Sequence, residues 1–267
     1  MYKQYTLNKA SNSDFWSDHW SKQDINQQML SAKKSELIPL FKKYLPINGK
    51  ILEAGCGQGI HVNALKELGY EMEGIDFDDK TIEQINKDFP NLNIKIDDVF
   101  NLKYPNNYFE GYISLGVIEH YENGWEKPIE EAKRVVNKNG IIFLSVPHFN
   151  YSRRIINFFH DIFYKPQGQF YQYLFKPNEI RRAIESKGFK YIATDYYGKS
   201  KTLMALPFFG KIFKNQYNSL KSTIGDVGYK PRKSYKIYKT LIKQFVFKIL
   251  PNKWFAHMVV IIAQKKD

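Results

Sequence analysis

The sequence predicts an α/β fold. It is doubly wound, with a mainly parallel seven-stranded sheet and helices on both faces, an N-terminal helical cap and a C-terminal basic insertion. Three observations predict it. Short apolar runs alternate with stretches of helical periodicity, as stacked strand–helix units require. A glycine-rich turn, "EAGCGQG", closes the first apolar run. An acid, Asp76, closes the second run about twenty residues later, where open α/β sheets bind ligands.

Residues 1–45 are expected to form the cap, with an aromatic cluster "FWSDHW" and an amphipathic run "QQMLSAKKSELIPLFKKYL". Residues 46–267 are expected to form the main domain. "GKILEAG" is its first strand, and "HVNALKELG" is the helix behind it, closed by Gly69. "YEMEGID" is the second strand, and "DKTIEQINKDF" is its helix, stopped by Pro90. "LNIKIDD" and "EGYISLGV" are the third and fourth strands, "KPIEEAKRVV" a helix and "GIIFLSVP" the fifth strand. After Pro147 regularity lapses. Residues 151–175 hold nine Phe and Tyr in 25 positions. "KPNEIRRAIESKGF" is a helix starting after Pro177 and ending at Gly188, and "KYIATDYY" is the sixth strand. Residues 198–253 are irregular and basic, and "WFAHMVVIIAQ" is the last strand. Segments 149–176 and 198–253 are thus read as lids or insertions.

Composition narrows the class. Hydrophobic residues make up 43% and charged residues 25% of 267, an ordinary soluble balance with enough chain for a full core. A single cysteine, Cys56, rules out an internal disulfide and any multi-cysteine metal site. "MYKQYTLNKASNSDFW" has no signal-like apolar core. The run "MVVIIA" falls far short of the ~20 residues that span a bilayer. A cytoplasmic protein is expected. Residues 1–150 carry 17 Lys and Arg against 21 Asp and Glu; residues 151–267 carry 23 against 6, a net of +17. Such a half meets something anionic, unless it is simply a solvated basic surface.

The glycine turn discriminates between two cofactor chemistries. A dinucleotide fingerprint needs a third small residue at the position held by Ile60, so that fingerprint fails. Glu53 matters more. A carboxylate at the end of the first strand repels a pyrophosphate, whereas an ammonium and a sulfonium suit an acidic mouth. These residues, "ILEAGCGQG" with "GIDFD" and "IDDVFNLKYPNNYFEGYISLGVIEHY", resemble the motifs of the class I methyltransferases that use S-adenosylmethionine (SAM). "EEAKRVVNKNGIIFLSVP" continues the likeness through strand five, and "WFAHMVVIIAQKK" is similar to the family's closing antiparallel strand. The resemblance implies SAM as cofactor, held by Glu53, Gly55, Cys56, Gly57, Gly59, Asp76, Phe77, Asp98, Val99 and Leu115. Within that set Asp76 is expected on the ribose hydroxyls, Asp98 near the adenine amino group and the Val99 backbone at the adenine ring. Taken singly, Asp76 could cap a helix, Asp98 could sit in a surface turn, and Cys56 is a small packing residue.

Methyl transfer from a sulfonium is an in-line displacement, so alignment supplies most of the rate, up to about 7–11 kcal/mol. A base is needed only when the nucleophile arrives protonated. His120 and His148, after strands four and five, are the catalytic candidates, because an ordinary histidine pKa near 6.5 suits proton abstraction. Each could instead be a structural loop histidine. The pair Glu119–His120 recurs in the similar ubiquinone-type O-methyltransferases. No third metal ligand accompanies it, so no metal is expected. The absence of an Asn-Pro-Pro-Tyr stretch and of a Pro-Cys pair disfavours amide and pyrimidine-C5 acceptors.

For the basic half three readings stay open. One is an aromatic lid over an acceptor pocket. The second is attachment to an anionic membrane surface through "SYKIYKTLIKQFVFKIL", where apolar residues at helical spacing are edged with lysine. The third, ranked last for want of a recognised module, is RNA binding. The expected function is methyl transfer from SAM to a small or lipid-linked acceptor on oxygen. RNA methylation and a non-catalytic SAM-binding module are the alternatives. The chain is expected in the cytoplasm, peripheral on the inner face of the membrane. Acceptor identity, the methylated atom (oxygen, nitrogen or carbon), pathway and oligomeric state are not written in the sequence.

Overall fold

The computed structural model describes residues 1–7, 13–163, 167–199 and 250–266. Its strands are β1 (Tyr2–Thr6), β2 (Lys50–Ala54), β3 (Glu71–Asp76), β4 (Ile94–Ile96), β5 (Phe109–Leu115), β6 (Val136–Pro147), β7 (Gln169–Leu174), β8 (Phe189–Tyr197) and β9 (Met258–Lys265). Its α-helices are α1 (Ser13–Ser21), α2 (Ile25–Ala32), α3 (Ile38–Tyr44), α4 (Ile60–Lys66), α5 (Asp79–Asp88), α6 (Lys127–Val135), α7 (Tyr151–Phe163), α8 (Pro177–Ser186) and α9 (Asn252–Phe255).

Seven strands form one sheet in the order β4-β3-β2-β5-β6-β9-β8. β4, β3, β2, β5 and β6 are parallel, and β9 runs antiparallel between β6 and β8. This is the predicted fold class, with the last strand reversed. Because both faces are covered, the strands read as near-continuous apolar runs. Successive residues serve opposite cores. Leu52, Tyr112, Ile142, Leu144 and Ile261 pack with Ile129 and Ala132 of α6 and Ile180 of α8. Ile51, Ile113, Phe143 and Ile262 pack with Phe41 of α3, Leu65 of α4 and Ile82 of α5.

Three expectations about local structure are corrected. The N-terminal cap is not all helical. Tyr2–Thr6 is a strand paired antiparallel with β7, and its half-buried and exposed residues alternate as a period-two pattern dictates. Residues 151–163, read as irregular, are the helix α7. Aromatic residues are poor intrinsic helix formers, so tertiary anchoring decides here. Asn150 donates to the carbonyl of Ala256 (2.8 Å) and Ser152 to that of Trp254 (2.8 Å). Trp254 and Phe255, placed in the last strand by the sequence, form the short turn α9 ahead of it. The predicted amphipathic stretch 234–250 lies, but for its last residue, outside the described residues, as does most of the 198–253 insertion. Among the described residues no helix is long and apolar enough to cross a membrane.

One buried acid fixes the cap to the sheet. Asp78, fully buried and at the N-cap of α5, accepts hydrogen bonds from Ser13 (2.9 Å) and Ser17 (2.5 Å) of α1 and from Thr81. Ser13 and Ser17 are one helical turn apart and therefore share a face. Hydrogen bonds to a charged group contribute more than neutral ones, so Asp78→Ala should cost about 2 kcal/mol or more in urea unfolding. It should also raise amide exchange in α1 while leaving β5 and β6 protected. Unchanged exchange in α1 would contradict this anchoring.

Candidate active site

The carboxyl ends of β2, β3 and β5 and the loop after β4 surround a cleft of about 490 Å³. The turn after β2 forms its floor. The N–H groups of Gly55 and Cys56 donate to the carbonyl of Ile75 (2.8 and 2.9 Å), and that of Gly57 donates to the Asp76 carboxylate (2.8 Å). Gly57 has φ +50°, and a Cβ there would stand 2.6 Å from the ring of Trp20. Only glycine lets α1 approach so closely.

Four carboxylates line the cleft: Glu53, Asp76, Asp97 and Asp98. Among the described residues no lysine or arginine does. Asp76 is 7% exposed, and its carboxylate also accepts the N–H of Asp78 (3.1 Å). Burial raises its pKa above the ordinary aspartate value, against the pull of these N–H groups. Asp97 accepts from the N–H groups of Asp98 (2.9 Å) and Lys103 (3.0 Å). Asp98 is exposed and accepts the N–H of Phe100 (2.9 Å). Glu53 differs from them. It is 2% exposed, its Oε1 stands 3.4 Å from His61 Nδ1, and among the described residues its Oε2 has no hydrogen-bond partner. A buried carboxylate oxygen without a donor favours a ligand that brings one.

The cleft wall is aromatic. Trp16 and Trp20 of α1 stack at 6.1 Å, and Trp16 meets the ring of His120 edge-on at 4.9 Å. His120 Nδ1 lies 2.9 Å from the carbonyl of Tyr171. A carbonyl can only accept, so Nδ1 carries the proton and Nε2 is the ring's acceptor. Burial lowers the His120 pKa to about 4, so its ring is neutral at pH 7. Glu119 Oε1 stands 4.0 Å from His120 Nε2. Burial raises the Glu119 carboxyl to about 8.

Of the sequence-predicted residues, Glu53, Gly55, Cys56, Gly57, Asp76, Phe77, Asp98, Val99, Leu115 and His120 all line the cleft. Two predicted residues do not. Gly59 is the left-handed N-cap of α4, where a Cβ would stand 2.2 Å from Ile94, so its role is packing. His148 lies in a different cavity, because its N–H is held by the carbonyl of His257 (2.8 Å) at the β6–β9 junction. Burial, with the repulsion of the thiolate by nearby Asp76 and Glu53, raises the Cys56 thiol well above its ordinary pKa. It stays protonated and is no nucleophile. Sequence reasoning missed Trp16, Trp20, Gln58 and His61 in the wall. The spacing of Trp16 and Trp20, one turn apart on the same helix as Ser13 and Ser17, was the available signal. Among the described residues no cluster of acids, histidines or cysteines could hold a metal ion.

Residues 52–144 match the family model described as a methyltransferase domain, about a third of the chain. The fold and this segment define the class, a Rossmann-like methyltransferase fold. A probable SAM-dependent methyltransferase of Mycolicibacterium smegmatis is 26% identical over 100 residues, covering 37% of this chain and 38% of that protein. The ubiquinone biosynthesis O-methyltransferase of Pelagibacter ubique is 29% identical over 103 residues, covering 37% and 42%. The match thus spans less than half the length of these curated relatives. The crystal structure of a SAM-dependent methyltransferase from Archaeoglobus fulgidus has the same fold, with a TM-score of 0.58 over 94% of this chain and 99% of that one, at 14% identity.

The buried pair sets a pH dependence. Between 4.5 and about 8 the folded Glu119 holds a proton that the unfolded chain has lost, so stability falls as pH rises through that window. His120 acts on the other side: its neutral folded ring gives stability that is lost as pH falls from 6.5 towards 4. Glu119→Gln should therefore lose less melting temperature than the unaltered chain between pH 4.5 and 8. Parallel curves would show that the carboxyl is not buried as described.

Proposed function

We propose that the chain is a SAM-dependent methyltransferase that methylates a small or lipid-linked acceptor on oxygen. One observation carries the reading: an acidic cleft that, among the described residues, has no lysine or arginine and leaves the buried Glu53 Oε2 without a donor. This charge distribution fits a ligand bearing an ammonium and a sulfonium and opposes a pyrophosphate. Glu53 would hold the ammonium. Asp76 has acceptor capacity beyond its two N–H partners for a pair of ribose hydroxyls, since a carboxylate offers about four lone-pair sites. Asp98, Val99 and Leu115 would flank the base. Bound SAM supplies an electrophilic methyl carbon on a positively charged sulfur.

The remaining work falls to the chain's own side chains. Trp16, Trp20 and Tyr121 keep water from the cleft. His120 offers Nε2 to the proton of an acceptor hydroxyl, with its orientation fixed by the Tyr171 carbonyl. Burial makes an isolated imidazolium costly, and Glu119 offsets that cost. A protonated ring next to it draws the carboxyl towards ionisation, so the two titrate as a unit. The oxygen acceptor is supported by this base and by the likeness to the Pelagibacter ubique O-methyltransferase. The lipid-linked class, and attachment to the inner face of a membrane, are supported by the net +17 of residues 151–267.

Supplying methyl-labelled SAM with host lysate and separating the label into lipid, small-molecule, RNA and protein fractions tests the acceptor. Label in the lipid or small-molecule fraction is expected; label confined to RNA would overturn the reading. Glu53→Gln should weaken SAM binding about tenfold or more by calorimetry. His120→Ala should keep SAM affinity while slowing transfer to a hydroxyl by roughly 10²–10⁴-fold. Full activity in that variant would remove His120 as the base.

A further inference from the structure

A second cavity, about 540 Å³, shares no residue with the first. Its wall is cationic: Arg154, Lys176, Arg182 and Lys253 face a single acid, Glu179. That acid is already engaged. Its Oε2 accepts the N–H of Lys176 (2.8 Å), and its Oε1 pairs with the α-amino group of Met1 (2.5 Å). Among the described residues Lys176, Arg182 and Lys253 have no carboxylate partner. The ten-residue helix α8 begins at this wall with Pro177 and Asn178, so its N-terminal partial positive charge adds to theirs.

Two further groups lie in or beside this wall. His148, 2% exposed, forms part of the wall, and among the described residues its Nδ1 has no hydrogen-bond partner. Arg153, next to the wall in sequence, donates to the carbonyls of His148 (2.9 Å) and His257 (3.1 Å) and contacts the His257 ring (2.6 Å). No carboxylate among the described residues pairs with it. A half-buried cation without a counter-ion adds to the positive potential beside the cavity.

We infer that this cavity binds a phosphate ester, with Arg182, Lys176 and Arg154 on its oxygens. Arginine and lysine at a helix N-terminus are the groups that take a phosphoryl anion. The ligand can come from a soluble phosphoester or from a lipid headgroup, and the chemistry at the cavity is the same. The pocket's ligand is independent of methyl transfer in the acidic cleft.

Calorimetric titration of the full chain with glycerol 3-phosphate, beside flotation with phosphatidylglycerol and phosphatidylcholine vesicles, tests this. Lys176 and Arg182 are exposed, so Lys176→Gln with Arg182→Gln spares the core. Binding should fall about tenfold or more in that variant. Lys34→Gln with Lys42→Gln, equal in charge loss and exposed elsewhere, should bind as the unaltered chain does. Saturable glycerol 3-phosphate binding with this dependence supports a soluble ligand. Binding to phosphatidylglycerol vesicles alone, with the same dependence, supports a headgroup. Absence of binding to both probes, or equal loss in the two double variants, overturns the inference. SAM affinity unchanged in the Lys176/Arg182 variant would show that the fold is intact, so failure here is separable from failure of the methyltransferase reading.

Discussion

Buried negative charge at the carboxyl edge of the sheet is the constraint on which the structure turns. Glu53, Asp76, Asp78 and Asp97 each fall below a tenth exposed, within a few residues of the ends of β2, β3 and β4. Carboxylates so placed must be supplied with donors or be protonated. Asp78 takes three hydroxyls and so ties α1 and α5 together. Asp97 takes two backbone N–H groups and closes the loop after β4. Asp76 takes the N–H of Gly57 and so sets the shape of the turn after β2. Glu53 is the one whose second oxygen is left open. The same local chemistry therefore builds the cleft and leaves it one demand that a cationic ligand can meet.

The sheet edge carries two opposite potentials. The ends of β2, β3 and β5 open on the acidic cleft, while His148, just past β6, opens on a wall of arginine and lysine. Four carboxylates of residues 1–150 line the first site, and four cations of residues 151–267 line the second. A charge lining a concavity acts on a ligand through a medium of lower effective dielectric than water, where it counts for more.

Much of this was legible in the sequence for a simple reason. β2, β3 and β5 are short, apolar and closed by glycine or acid, and their site residues lie within a few positions of each strand's end. Glu53, Asp76 and Asp98 are local signals of that kind. What the sequence hid depends on contacts across long stretches of chain. Ser13 and Ser17 reach Asp78 more than sixty residues away, and the one-turn spacing of Trp16 and Trp20 marks a shared face without saying that Trp20 covers Gly57. His148 looked equivalent to His120, since both follow a strand. The difference is that β9 lies beside β6 and its neighbour His257 captures the His148 backbone, whereas His120 turns into the cleft beneath Trp16. Gly59 looked like part of the cofactor loop, and only the position of Ile94 shows it to be a packing residue. The strand β1 and the helix α7 were missed because their partners, β7 and the β9 approach, are distant in sequence.

The claim at the centre of this account is that the acidic cleft selects a positively charged adenosyl ligand over a phosphate-bearing one. The most direct measurement is a competition titration, in which the full chain loaded with SAM is challenged with NADH across a range of salt concentrations. Retention of SAM throughout, with affinity declining as salt screens the carboxylates, is the predicted result. Displacement of SAM by NADH, or binding of NADH where SAM leaves no heat, would contradict it.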